Sequence, residues 1–444
     1  MSLSSDIPLE IVYEPEGGIT PGPRKYFFGL NILIPYYTSY LNFIRKLQSR
    51  YGDVVFFKAG NENIFLVNDP GFIEHILITN PDNYLRGTGF TRLRMLLGDG
   101  LLSTDGAIQK KHRTMIQPSF HRSSIDGYIN IINDTVEEEI SKWNSKIDLQ
   151  NNSVDLFLII ICKLLFGNAL PGKLIPTVKF FDSLTYDYKA LVSIGMPGLA
   201  GKLPFTWARN FSRSVEDLDT IIYSVIEERK CTDKGCNDIL SLLLSARDEN
   251  GEVLSDKEIR DELITILFAA YDTSARTLTW ALILLSQNPS VLENLRSSIK
   301  EGSSSYTEMV ISEALRLYPP AHSITRITDK EDRYKNHFIP AGSSIIISPY
   351  LIQRNKRYFD RPLNFIPERW DSGNKPVNRF TYLPFGAGKR SCMGEVFARM
   401  QVNSTLRYIC NNYDFTIHGK IKESSSLTLK PSGKVTINLN VRRR

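Results

Sequence analysis

The 444-residue chain predicts a mainly α-helical protein with a smaller β-rich part. Three observations carry that expectation. From Asn130 to Lys230 one helical pattern follows another, separated by Asn151-Asn152, Pro171-Gly172 and Pro197-Gly198. From Ser255 to Asn288 a single pattern persists for about 32 residues, or roughly 48 Å of helix. Against these stand only short strand patterns, at 53–67, 337–349 and 412–443. No stretch rich in Pro, Gly or Ser divides the chain, and the 42% hydrophobic content suffices for one large core.

Taken in order, Tyr37 to Tyr51 reads as an amphipathic helix after the Pro-punctuated start Pro21-Gly22-Pro23. Strands at Asp53–Lys58 and Ile64–Val67 follow, joined by the turn Gly60-Asn61-Glu62-Asn63. Asp69-Pro70 opens a helix with Pro at its first position. Residues 84 to 104 form a long mixed loop of the kind that carries function. Gln109 to Phe120 is a helix crowded with Lys110, Lys111, His112 and Arg113. In the longest helix Ser255-x-x-Glu258 is a capping box, and Pro289 ends the pattern. A second helix ends at Pro319-Pro320 after Glu313-Ala314-Leu315-Arg316. His337 to Pro349 reads as a strand pair around Pro340-Ala341-Gly342, and closing strands follow the helix behind Cys392.

The net charge of +6 is too small to argue for nucleic acid. Five widely scattered Cys fit a reducing compartment better than a disulfide framework. The first residues lack the apolar core of a secretory signal. The apolar runs at 27–44 and 156–166 are interrupted or short of the roughly 18 residues a membrane span needs. The expectation is a soluble, cytoplasmic monomer without a membrane span.

The most informative stretch is Phe385-Gly-Ala-Gly-Lys-Arg-Ser-Cys-Met-Gly394. Cys392 sits in a glycine-braced loop at the mouth of a helix, where free N–H groups and the dipole favour the thiolate. Such a thiolate suits an axial haem ligand. A phosphate loop fits poorly, because Arg390 follows Lys389 where Ser or Thr belongs. A dinucleotide fingerprint lacks its third glycine. For a Cys in isolation, a buried structural thiol in a capping loop is the better reading. The neighbours reverse that preference. Phe385-x-x-Gly388-x-Arg390-x-Cys392-x-Gly394 closely resembles the haem-binding signature of the cytochrome P-450 monooxygenase family.

Further motifs share that resemblance in the family's order. Ala269-Ala270-x-Asp272-Thr273 resembles its oxygen-binding groove, with Ala270 where Gly is commoner. Glu313-x-x-Arg316 and Phe365-x-Pro367-Glu368-Arg369-Trp370 resemble its structural lock. Alone, an Asp-Thr pair would be a locally satisfied polar patch and a Glu-Arg pair a weak surface contact. The resemblance implies a single-domain cytochrome P-450 fold across residues 1–444, mainly α, enclosing haem b. Its strand-rich lobe is mainly 45–70, 321–350 and 412–444, and its helical lobe mainly 71–318 and 385–411. Cys392 would be the metal ligand, in a loop shaped by Phe385, Gly386, Gly388 and Gly394. Arg113, Arg326 and Arg390 would hold the propionates, with Gln109 where Trp or His is usual. Ala269 would border the oxygen groove, Asp272 and Thr273 would relay protons, and Glu313, Arg316 and Arg369 would form a buried ion cluster.

The activity implied is reductive activation of O₂ to hydroxylate an apolar molecule. Electrons would come from a ferredoxin- or flavodoxin-like partner docking near Lys110, Lys111 and Lys389. Fatty acids, terpenoids and steroids all suit the apolar walls, which are the 84–104 loop, a mobile roof at 173–230, Ile266, Ala269-Ala270 and Ser323-Ile324. Leu101-Leu102-Ser103-Thr104-Asp105-Gly106 leans towards the fatty-acid-hydroxylating branch. A haem-thiolate isomerase or peroxide-driven enzyme is the alternative, disfavoured by the presence of both Asp272 and Thr273. A non-catalytic haem sensor is disfavoured because no signalling or DNA-binding domain is attached.

Overall fold

The computed structural model describes residues 12–13, 20–26, 29–87, 94–120, 127–167, 172, 174–179, 206–232, 238–371 and 378–442. They fall into two units: 1–88 with 315–392 and 424–429, and 89–314 with 393–423 and 430–444.

The first unit is organised by a five-stranded sheet in the order Val54–Ala59, Glu62–Val67, Ser344–Ile347, Ile324–Thr328, Tyr84–Arg86. Only the Glu62–Val67 and Ser344–Ile347 pair is parallel. Ser344-Ile-Ile-Ile347 is buried on both faces, as an unbroken apolar run in a central strand should be. Alternation then sorts the side chains. Phe56, Phe65, Ile345 and Ile347 pack with Phe72, Ile76 and Leu77 in one cluster. Phe57, Ile64, Leu66 and Ile346 pack with Ile44, Leu47 and Tyr350 in another. Each such side chain contributes roughly 1.5–3 kcal/mol by leaving water.

Several boundaries differ from the sequence reading, each for a local reason. Gly60 takes φ +63°, which allows a tight turn, so the second strand begins at Glu62. The helix near the start is two helices, Leu30–Thr38 and Tyr40–Tyr51, divided at Ser39. His337–Ile339 does not pair with Ser344–Ile347. It pairs with Asp332–Tyr334 through a turn at Lys335, whose φ is +52°, while the more apolar run enters the large sheet. Asp69 caps the next helix as expected, accepting from Phe72 N–H at 2.7 Å, with Pro70 at the first position. That helix continues into an unanticipated π-helical turn, His75–Thr79.

In the second unit the helix Asp256–Gln287 runs for 32 residues, and both halves of its Ser255/Glu258 capping box are present. Leu149–Phe166 packs along it. Asn151-Asn152 does not interrupt this helix, because Asp148 caps it one turn earlier and places both Asn in the first turn. With 18 residues and a mean hydropathy of 1.4, it is long and apolar enough to cross a membrane, yet 61% of it is buried inside the fold. No other helix among the described residues meets those criteria. The strands Tyr413–His418 and Thr436–Val441 pair in this unit, the latter also with Lys146–Asp148. Pro197-Gly198 and most of the expected roof lie outside the described residues.

Candidate active site

In the first unit, the Cys392 loop is closed by its own backbone. Cys392 N–H donates to the Phe385 carbonyl at 2.9 Å, Gly386 N–H to Leu383 at 3.1 Å and Ser391 N–H to Gly388 at 3.0 Å. Gly386 and Gly388 adopt φ +69° and +75°, a region that glycine enters without steric cost. The Cys392 side chain is exposed, unlike the buried Cys162 and Cys410. A structural thiol would be buried, so the capping-loop reading loses its main support. The helix that follows begins at Glu395 with Gly394 as its cap, so Cys392 lies just before the first turn.

The same unit holds Arg326 on a sheet strand, 6% exposed. Its guanidinium donates from Nη1 to the neighbouring Thr325 carbonyl at 2.8 Å, and no carboxylate pairs with it among the described residues. Burial pushes its pKa down to about 10. A buried guanidinium so placed calls for an anion. Burial likewise lowers the pKa of Arg390, against a weaker opposing influence from Asp82. Arg316 is fully buried and donates to the carbonyls of Gln353, Pro362 and Asn364 at 2.7–3.0 Å. Arg369 donates to the Asp360 carbonyl at 3.0 Å. These two arginines pin loops of the first unit through backbone oxygens. Glu313 is also fully buried.

In the second unit, the long helix is buried from Ile259 to Leu267 and from Ser274 to Leu285. Between those stretches Ala269 is exposed, and Phe268, Ala270, Asp272 and Thr273 are half-buried. Tyr271 within this window is buried, so the helix is accessible at its middle on the face that carries Ala269. Thr273 Oγ1 donates to the Ala269 carbonyl at 2.9 Å, the back-bond that Thr makes inside helices. Asp272 Oδ1 accepts from Arg276 Nη2 at 2.6 Å, one turn on, and Arg276 Nη1 donates to Gln150 Oε1 at 3.3 Å. The helix Gly106–Ile116 presents Gln109, 7% exposed, whose Nε2 is buried without a hydrogen-bond partner among the described residues. Arg113, one turn later on this helix, is half-buried.

Taken unit by unit, these residues fit haem. An exposed thiol ends a braced loop, an unneutralised guanidinium and an orphaned amide await acceptor oxygens, and a buried helix opens at Ala269. In the first unit Cys392, Arg326 and Arg390, and within the second Gln109 and Arg113, each have the chemistry to contact the group. Among the described residues no cluster of His, Cys, Asp and Glu competes as a site for a bare metal ion.

Sequence reasoning missed three groups of residues. Buried His112 donates to Glu262 at 2.7 Å and lies 3.3 Å from Glu258, both on the long helix. No local pattern signals a partner 150 positions away. Arg276 was legible as an i, i+4 partner of Asp272. Gln401 is fully buried and donates to Ser274 Oγ at 2.6 Å.

Comparison with known proteins bears on all of this. The cytochrome P-450 family model matches residues 20–438. Cyclooctatin synthase of Streptomyces melanosporofaciens is 31% identical, over 84% of this chain and 85% of its own. Cyclooctat-9-en-7-ol 5-monooxygenase of the same organism is 31% identical, over 81% of each chain. Pentalenene oxygenase of Streptomyces avermitilis is 27% identical, over 85% of this chain and 87% of its own. Among solved structures, a retinoic acid-bound cyanobacterial cytochrome P-450 superposes with a TM-score of 0.84 at 20% identity, covering 96% of this chain and all of that one. The likeness in structure bears on the fold alone.

Proposed function

The chain belongs to the cytochrome P-450 family, and from that premise we propose that it hydroxylates a terpenoid and that Cys392 would hold the iron of haem b through its thiolate. It is an oxidoreductase of the monooxygenase kind; the family uses haem held by a Cys thiolate, consumes O₂ and generally draws electrons from a separate protein. The observation that carries the site assignment is the exposed Cys392 thiol at the end of a loop closed by its own backbone. The choice of terpenoid over fatty acid or steroid follows the relatives named cyclooctatin synthase, cyclooctat-9-en-7-ol 5-monooxygenase and pentalenene oxygenase.

Haem, when bound, supplies the reduction of O₂ that places one oxygen atom on the substrate and releases the other as water. The protein's part is holding, orienting and moving protons. Arg326, Arg390 and Arg113 would neutralise the propionates, and Gln109 Nε2 would donate a hydrogen bond to that group, as the family resemblance implies. Ala269 and Ala270 leave room beside the long helix. Thr273, with its proton directed to the Ala269 carbonyl, keeps its oxygen lone pairs available to accept a donor in that space. Asp272 relays protons from bulk water, with one carboxylate oxygen steadied by Arg276. Glu313, Arg316 and Arg369 serve folding.

Electrons arrive from an acidic ferredoxin- or flavodoxin-like protein attracted by the basic side chains near Lys110, Lys111 and Lys389. Of these, Lys110 is exposed, Lys111 lies 3.5 Å from Glu258, and Lys389 is paired with Asp82 at 2.8 Å.

The test is an absorbance titration of purified protein with a cyclic terpene alcohol and, in parallel, a long-chain fatty acid. A low-to-high-spin Soret shift with the terpenoid alone is the expected result. A shift with the fatty acid alone would reassign the substrate. Absence of a Soret band after haem is supplied would reject the site.

A further inference from the structure

Four residues before Cys392, the loop rests on another segment of the first unit. A Cβ added to Gly388 would overlap the Leu77 carbonyl oxygen, so the loop apex lies directly against the π-helical turn His75–Thr79. The next residue, Lys389, reaches the end of the same segment and bonds both carboxylate oxygens of Asp82 at 2.8 and 2.9 Å. The position of the Cys392 loop is therefore tied to that of residues 75–82.

A single carboxylate oxygen in turn fixes this segment. Asp332 Oδ2 accepts from Tyr84 OH at 2.7 Å, His75 Nε2 at 2.8 Å and Asn80 Nδ2 at 3.1 Å. The donors bracket the π turn: His75 starts it, Asn80 follows it, and Tyr84 begins the adjoining strand. Phe72, just before the turn, stacks on Tyr334 of the Asp332 hairpin at 4.4 Å between ring centres. Burial opposes ionisation of Asp332, yet the donated hydrogen bonds outweigh it and hold its pKa below the ordinary carboxylate range. A π turn costs regular helical bonding and recurs where function needs an altered backbone. Here its Leu77 carbonyl forms the floor beneath Gly388.

We propose that Asp332 is a positioning residue for the Cys392 thiolate, acting through His75, Asn80 and Tyr84 on the π turn that supports Gly388 and Lys389. The inference rests on Cys392 being the haem ligand. Groups that orient a metal's ligand tune both its bond and its electronics.

The test compares the parent with Asp332→Asn, and with Ser348→Ala as a control that removes a buried helix cap elsewhere in the same unit. Two readouts are taken besides turnover. One is the rate at which the ferrous–CO spectrum passes from thiolate-type to thiol-type. The other is amide exchange of residues 75–84 in the haem-free protein. Asp332→Asn should accelerate the spectral change roughly tenfold and deprotect 75–84, with Ser348→Ala near the parent in both. Equal behaviour of the two variants, or no change in either, would overturn the proposal. Should Asp332→Asn fail to fold, Asn80→Ala removes one arm of the network and should move both readouts less, in the same direction; no movement would again overturn it. Retention of a thiolate-type spectrum in Cys392→Ser would instead overturn the ligand assignment, a failure separable from that of Asp332.

Discussion

At the scale of single residues, His112 shows what a buried charge can do for a binding helix. It is 1% exposed, and burial alone would lower its pKa. The hydrogen bonds and charges of Glu262 and Glu258 outweigh burial and raise it. Lys110, Lys111 and Arg113 are the other charges on its own helix. A folded pKa above the unfolded value means that the fold binds the proton more tightly than the unfolded chain. The stabilisation is complete below the ordinary histidine value of about 6.5 and is lost as pH rises through the folded pKa. Replacing His112 with Leu should cost about 3 kcal/mol at pH 6, because Glu262 is left buried without its partner. Urea unfolding of both proteins across neutral and alkaline pH should show that gap narrowing as pH rises. A gap independent of pH would mean that the pair stabilises as a neutral hydrogen bond. None of this was legible in the sequence, where His112 was one member of a basic run. Cys392 was legible, because its glycines and its arginine are sequence neighbours.

At the scale of elements, the parts that could be read were those whose start and stop signals are local. Ser255 and Glu258 set the N-terminus of the long helix, and Asp69-Pro70 set another. The misread parts depended on distant partners. His337–Ile339 and Ser344–Ile347 look alike in sequence, and only the sheet decides that the second is central. Asn151-Asn152 resembles a break until Asp148 is seen to cap the helix before it. The π turn has no sequence signature, yet it underlies the Cys392 loop. The capping box gives a direct test. Ser255→Ala removes the acceptor for the Glu258 N–H and should destabilise the protein by about 1 kcal/mol in urea unfolding. The Soret band should be unchanged, because the cap lies some four turns from Ala269 at about 3.6 residues per turn. A spectral change would mean that fraying reaches the middle of the helix.

At the scale of the whole molecule, the net charge of +6 is spread over 54 basic and 48 acidic residues, so long-range attraction of an acidic partner depends on where the basic side chains are free to act. The sequence offered Lys110 and Lys111 as equivalents, but the structure separates them. Lys110 is exposed, while Lys111 is 31% exposed and lies within 3.7 Å of both Glu252 and Glu258. Charge reversal at Lys110 should therefore act mainly on encounter, slowing haem reduction by an acidic ferredoxin about threefold to tenfold at low ionic strength. The effect should shrink as salt shortens the Debye length to about 3 Å near 1 M. Lys111→Glu should instead put a third carboxylate beside Glu252 and Glu258, lowering stability at every salt concentration and altering reduction only as the fold weakens. Stopped-flow reduction over a salt series, with urea unfolding on the same samples, distinguishes the two. Identical salt slopes for Lys110→Glu and the parent would remove this helix from the docking surface and leave Lys389 to be tested next.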